Sequence, residues 1–268
     1  MEYQLLVSTM HRKDTGIYEE MHLSSDAIIV NQADRHELLE EKRGDYTLRM
    51  YSFAERGVGL SRNTALMRAE GEILEFADDD MIFTPTYSED VLKEFAAHPE
   101  ADAILFSVES LNPERPLLKI KKFGKVSKRE ALKYGCARLA VRREKLLYNN
   151  ISFSLLFGGG AKYGSGEDSL FLQDCIRAGL RIYKSPVKVA DVKQDASTWF
   201  EGYTDKYYRD KGALFAALLP RLCCIYAFLT AMKAKGSFSE KRRKYKLYRQ
   251  GIREFKRMQR GKNSAAQK

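Results

Sequence analysis

"EGEILEFADDDMIF", residues 70–83, sets the question for the whole chain. An apolar run, Ile73 to Ala77, leads straight into three consecutive aspartates. Adjacent carboxylates repel one another, so Asp78, Asp79 and Asp80 require either full solvation or a cation among them. A solvated turn is one explanation, and a metal site at a strand end is the other. The flanking sequence decides between them.

Upstream, "GLSRNTALMRAEG" (59–71) reads as a helix, with Ser61 as its cap, Ala65, Leu66 and Ala69 on one stripe, and Gly71 at its end. "YQLLVST" (3–9), "DAIIVNQAD" (26–34), "YTLRMYSF" (46–53), "EILEFA" (72–77) and "ADAILFSV" (101–108) are short apolar runs with strand character. "YSEDVLKEFAAH" (87–98) is a further helix. Strands alternating with helical connections mark an α/β sheet, whose ligands sit beyond the carboxyl ends of the strands. Thr9, Arg12, Asn31, Asp34 and the three aspartates all follow strand ends and gather on one rim. That convergence favours a site over a surface turn.

A second acidic pair lies further on. In "ISFSLLFGGGAKYGSGEDSLFLQDCIRAGLRIYKSPVKVADV" (151–192) a glycine-rich loop opens a helix whose apolar face carries Leu170, Phe171, Cys175 and Ile176 and which Gly179 closes. Glu167 and Asp168 occupy its first turn. Acidic residues there complement the helix dipole, and alone they imply nothing more. Residues 109–135 are Lys-rich without a clear period, and "CARLAVRREKL" (136–146) reads as a strand running into a helix. Arg138, Arg142 and Arg143 are expected on a solvated charged edge, with a phosphate grip as the alternative.

With 268 residues, 44% hydrophobic and 31% charged, the chain suits one large globular domain with or without an appendage. The first residues, "MEYQLLVSTMHRKD", lack a basic start followed by a long apolar stretch, so no secretory signal is expected. The four cysteines show no metal-ligand spacing and are expected to be reduced and buried, in a cytosolic setting. The histidines form no HxxxH or HxH pair. Charge is unevenly placed: residues 233–268 hold 14 Lys or Arg against 2 acids, a net of +12, and residues 1–232 a net of −2. "ALFAALLPRLCCIYAFLTAM" (213–232) is long enough to span a bilayer, but Pro220 and Arg221 at its centre argue for a helix kinked or begun there. In the tail, Tyr245, Tyr248, Ile252 and Phe255 fall at helical spacing among lysines and arginines. That pattern predicts a basic amphipathic helix suited to an anionic membrane surface, with a solvated or oligomer-contacting helix as the alternative; no nucleic-acid partner is expected, because the body is near neutral and the tail lies apart from the acidic rim.

Helix, strand, DDD, glycine loop and ED, in that order, resemble the inverting nucleotide-sugar glycosyltransferases of family 2, over most of residues 3–210. "VSTM", "IIVNQAD" and "STWFEGY" (197–203) resemble bacterial members that build surface polysaccharides. The resemblance implies a GT-A fold, a Rossmann-like mixed sheet flanked by helices, over residues 1–210, with a donor half about 1–108 and an acceptor half about 109–210. Residues 211–268 would be a C-terminal apolar helix and basic tail. It implies Asp80 as ligand of a Mn²⁺ or Mg²⁺ ion, Asp79 at the ribose or sugar with Asp78 either assisting in donor binding or only shaping the strand end, and Thr9, Arg12, Asn31, Asp34 and Arg62 at the nucleotide, UDP being favoured over GDP. Asp168 would be the general base and Glu167 its neighbour at the acceptor. Trp199 is read either as core packing or as a stacking platform for the acceptor, and Arg62 either as a donor contact or as a partner of the rim carboxylates. The acceptor would be a saccharide or lipid-linked saccharide, and the enzyme peripheral at the cytoplasmic face of the cell membrane. Rival readings are a sugar nucleotidyltransferase, disfavoured by the lack of a glycine cluster after the first strand, and a non-catalytic protein whose basic tail binds nucleic acid or membrane.

Overall fold

The structure, a computed structural model, describes residues 1–194 and 202–265. The chain begins β1 (Tyr3–Met10), α1 (Ile17–Glu20), β2 (Ala27–Gln32), β3 (Glu37–Arg43), β4 (Tyr46–Phe53), α2 (Val58–Arg68), β5 (Ile73–Asp78), β6 (Met81–Phe83), α3 (Tyr87–Ala97) and β7 (Ala103–Ser110). It continues β8 (Gly124–Lys125), α4 (Lys128–Ala131), β9 (Leu139–Arg142), α5 (Arg143–Tyr148), α6 (Glu167–Arg177) and β10 (Ile182–Val192), and ends α7 (Asp205–Leu218), α8 (Cys223–Lys233) and α9 (Phe238–Ala265).

The described strands form one mixed sheet in the order β3-β4-β2-β1-β5-β9-β7-β10-β6, with β8 beside β10. β4, β2, β1 and β5 run parallel, and β9 enters antiparallel between β5 and β7. Central strands such as β2 are buried on both faces, which is why they read as unbroken apolar runs. One face packs on α1 and α3 through Ile17, Met21, Tyr87, Val91 and Phe95. The other packs on α2 and α6 through Ala65, Leu66, Phe171, Leu172 and Cys175. Pro186 lies within β10, where the register with β7 shifts between Lys184 and Lys188, a bulge that accommodates the missing donor.

Several local expectations are corrected. α2 begins after Gly57 rather than at Ser61, whose hydroxyl donates to Ser8 Oγ and Val30 O inside the core. It ends at Arg68, before Gly71, where a side chain would run into Gln4. β3 escapes the sequence reading because its pattern, ELLEEKR, is charged; as an edge strand it is mostly exposed, and charge there blocks further pairing. Cys136, Cys175 and Cys223 are buried, but Cys224 is exposed. Arg138 is not on a solvated edge: it is 5% exposed and donates to the carbonyls of Leu118 and Val108. Arg142 donates to Ala101 O at 2.9 Å and lies over the Phe95 ring.

At the C-terminus the apolar 213–232 stretch is broken at Pro220 into α7 and α8, and no described helix is long and apolar enough to cross a membrane. Tyr248, Ile252 and Phe255, the apolar face of α9, are buried against Phe157, Tyr163 and α7. The expected lipid-facing stripe of the tail is therefore internal. Two glycines make this contact: a Cβ on Gly212 would overlap the carbonyl of Tyr248, and one on Gly251 the carbonyl of Arg209.

Candidate active site

The parallel register places Thr9 beside Asn31 and Ser8 beside Asp78, so the ends of β1, β2 and β5 share one edge. A cleft of about 640 Å³ opens there, lined among others by Ser8, Thr9, Arg62, Asp78, Asp79, Asp80, Glu167 and Asp168. That size suits a substrate or cofactor. Thr9 Oγ1 donates to Asp79 Oδ2 at 2.5 Å, and Arg12 Nη2 stands 4.0 Å from the same oxygen.

The glycine loop delivers the second acidic pair. Val58 N–H donates to Gly159 O at 3.0 Å, which ties the start of α2 to that loop. Gly158 and Gly166 have φ of 112° and 118°, and a Cβ on Gly158 would press on Val58 and Glu167, one on Gly166 on Leu214. These glycines meet steric demands, in place of the mobility that a run of glycine suggests. α6 then starts at Glu167 and closes as expected, with Gly179 N–H on Ile176 O and Leu180 N–H on Cys175 O.

Arg62, 2% exposed, joins the two acidic sites. Its Nη1 lies 2.6 Å from Asp168 Oδ1 and its Nη2 2.8 Å from Asp78 Oδ1, and its guanidinium carbon is 5.2 Å from the Phe153 ring centre. Burial, followed by the charge of Asp168, pushes the Glu167 carboxyl up to about 7, against the pull of Arg62. Asp80 is different. Burial, then Asp78 and Asp79, push it up to about 6, and among the described residues no basic side chain pairs with it. A carboxylate so placed fits a hard divalent cation. Among the described residues no three His, Cys, Asp or Glu side chains are grouped to hold a metal unaided, so the ion would need oxygens from a bound anionic ligand.

Of the residues expected at the site, Thr9, Arg62, Asp78, Asp79, Asp80, Glu167 and Asp168 line the cleft. Arg12 stands at its edge, held by Glu20 at 2.8 Å. Asn31 is wholly buried behind the wall: its Oδ1 accepts from Arg12 N–H, and its Nδ2 donates to Arg12 O and Ser52 Oγ. Its amide thus fixes the loop after β1 and does not face the cavity. Asp34 is exposed and outside the lining, and Trp199 lies outside the described residues. The sequence reading missed Arg115, Gln194 and Lys211. Arg115 reaches the cleft from the irregular 109–135 stretch. Gln194, at φ 49°, follows β10, and its backbone hydrogen-bonds to the Asp80 carboxylate. Lys211 on α7 feels Glu167, while burial lowers its pKa. Only Arg115, a lone basic residue in "NPERP", carried a local signal.

Residues 25–154 match the model of glycosyl transferase family 2; the match includes the aspartate triplet and stops short of Glu167. Among solved structures, S. aureus TarS 1–349 in complex with UDP-GlcNAc aligns with a TM-score of 0.61 at 17% identity, covering 95% of this chain and 71% of that one. The same protein in complex with UDP gives 0.59 at 16%, covering 95% and 70%. Longer TarS gives 0.58 at 16%, covering 90% of this chain and 41% of that one. No curated protein matches by sequence. Identities this low speak for the fold alone, which is GT-A, and the family match over residues 25–154 supports a glycosyltransferase of family 2.

Proposed function

We propose that the chain transfers a sugar from a nucleoside diphosphate donor, UDP-linked in preference to GDP-linked, to a saccharide or lipid-linked saccharide in surface-polysaccharide synthesis, inverting the anomeric carbon. The observation that carries this reading is the meeting of two acidic sites in one cleft, bridged by Arg62 at 2.6 and 2.8 Å. The similar fold of TarS, solved with UDP-GlcNAc and with UDP, supports a uridine donor. An acceptor in this setting brings the enzyme to the cytoplasmic face of the cell membrane.

In the proposed reaction the acceptor oxygen forms its bond to the anomeric carbon as the bond from that carbon to the diphosphate oxygen breaks. The electron pair leaves with the diphosphate, and the acceptor proton passes to Asp168. Asp79 and Thr9 would position the ribose or sugar, and Arg115 would meet the phosphates. A Mn²⁺ or Mg²⁺ ion, held by Asp80 and the donor's phosphate oxygens, would supply neutralising charge at the leaving group. One observation favours a second assignment of the base: Glu167, raised to about 7, is poised to exchange a proton near neutrality. If Glu167 takes the proton, turnover rises with pH through about 7 and that limb vanishes in Glu167→Gln. If Asp168 does, Asp168→Asn abolishes turnover with donor binding intact and Glu167→Gln keeps most of it.

Calorimetric titration of UDP and GDP, each with and without Mn²⁺, tests the donor site. Metal-dependent UDP binding that is lost in Asp80→Asn is the expected result. Failure of both nucleotides to bind under any condition would return the triplet to a solvated turn.

A further inference from the structure

α8 has three sides. Cys223, Ala227 and Ala231 are buried against α7 and α9. On the opposite side Leu222, Ile225, Phe228 and Leu229 are 56%, 59%, 47% and 50% exposed. These four large apolar side chains, about half exposed on α8 and its N-cap with Phe228 also meeting the Tyr245 ring edge-on, form a ridge that an isolated soluble unit gains nothing by exposing. The third side borders a cavity of about 640 Å³, lined by Tyr208, Tyr226 and Tyr248 and by Lys233, Lys235 and Lys244. Leu229 belongs to both the ridge and the cavity.

The cavity is cationic. Among the described residues none of its three lysines has a carboxylate within ion-pair distance, though the charge of Lys244 is felt at Glu240, and Lys244 Nζ donates to Lys235 O at 3.1 Å. Lys244 also lies 5.7 Å from the Tyr208 ring centre. Lysine ammonium groups lining one cavity with tyrosines match a phosphate ester, which offers negative charge and acceptor oxygens together. An apolar ridge beside a phosphate-binding cavity is the outline of an amphiphile: chains against Ile225 and Phe228, headgroup among the lysines.

We propose that α8 and its cavity dock the protein on an anionic lipid bilayer, with lipid phosphates in the cavity and the ridge in the acyl boundary. Charge complementarity selects this occupant. The surrounding segment, residues 233–268, carries a net +12, so a second copy meeting the same face would bring like charge against like. A nucleic acid would leave the ridge in water. The apolar face of α9 is already spent on α7, so docking through the tail itself is closed and α8 takes that role. The site is separate from the donor cleft and does not rest on the transferase reading.

Flotation of the full chain with vesicles of phosphatidylcholine, with and without phosphatidylglycerol, tests the proposal. The chain should float with the anionic vesicles, weakly with neutral ones, and less at high salt. Ile225→Glu with Phe228→Glu, and separately Lys233→Glu with Lys235→Glu, should each lower partitioning by about tenfold or more. Circular dichroism and UDP titration on the same variants separate loss of docking from loss of fold or of the donor site. Equal flotation with neutral vesicles, or unchanged flotation of both variants, overturns the proposal. So does a dimer in solution that Ile225→Glu with Phe228→Glu dissociates while vesicles are ignored. Binding of soluble glycerol phosphate without vesicle binding would likewise overturn it and assign the cavity to a soluble phosphate ester.

Discussion

The side chain of Arg62 is 3% exposed and holds carboxylates 16 and 106 positions away in sequence, Asp78 and Asp168. Only a planar fork of donors does this from one position. Arg62→Lys keeps the charge and loses one arm, so turnover should fall roughly a hundredfold with the fold intact, as steady-state kinetics beside a melting curve would show. Glu75 presents a different case. It is fully buried in β5, accepts from Tyr3 Oη at 2.6 Å, and its other oxygen has no partner among the described residues. Burial pushes its carboxyl up to about 7 from 4.5, so the folded state keeps a proton that the unfolded chain releases. The stabilising contribution is whole below about 4.5 and is lost as pH rises to about 7, a change of about 3 kcal/mol at most. Glu75→Gln should remove this dependence and be the more stable protein at pH 8; urea unfolding of both across that range is the measurement. At this scale the sequence shows identity and not company. The DDD and ED residues were legible because a strand end and a helix start are local events. That Asn31 serves the loop after β1 and that Arg138 lies among carbonyls depends on chain brought from 19 to 30 positions away.

Elements were legible where their period was strong. The helices starting near Tyr87 and Glu167 and the five apolar strands stand where hydrophobic spacing puts them. β3 is invisible to that rule because an edge strand has little apolar surface to bury. The α7–α9 contact exposes another limit. Gly212 and Gly251 sit inside helices, where alanine would be favoured by about 1 kcal/mol on backbone grounds. Here the carbonyls of Tyr248 and Arg209 occupy the space of a side chain, and overpacking costs about 1–3 kcal/mol or more. Crowding wins. Gly251→Ala should lower the melting temperature and expose α9 to protease, while Gly261→Ala, on the same helix with nothing within 4 Å, should leave it level or raise it.

On the scale of the molecule, one sheet edge carries the proposed site and a three-helix unit behind α6 carries the positive charge. The chain by itself determined the sheet, its polar rim, the two acidic sites and the basic tail, because each is written in short-range pattern or composition. Tertiary structure decided which of them face one another. It brought Asp168 within 2.6 Å of the guanidinium that also holds Asp78, and left Asp80, among the described residues, as the triplet's carboxylate without a basic partner. It also turned the apolar stripe of α9 inward onto α7 and left the large apolar side chains of α8 about half exposed. Hydrophobic spacing says that a helix has an apolar face, since burial has to be satisfied somewhere. It does not say against what, because the free energy of burial is nearly indifferent to the identity of the apolar partner. Shape settles that choice: the glycines let α7 and α9 meet backbone to backbone and bury the α9 stripe, while α8 buries only its small side and keeps Ile225, Phe228 and Leu229 about half exposed.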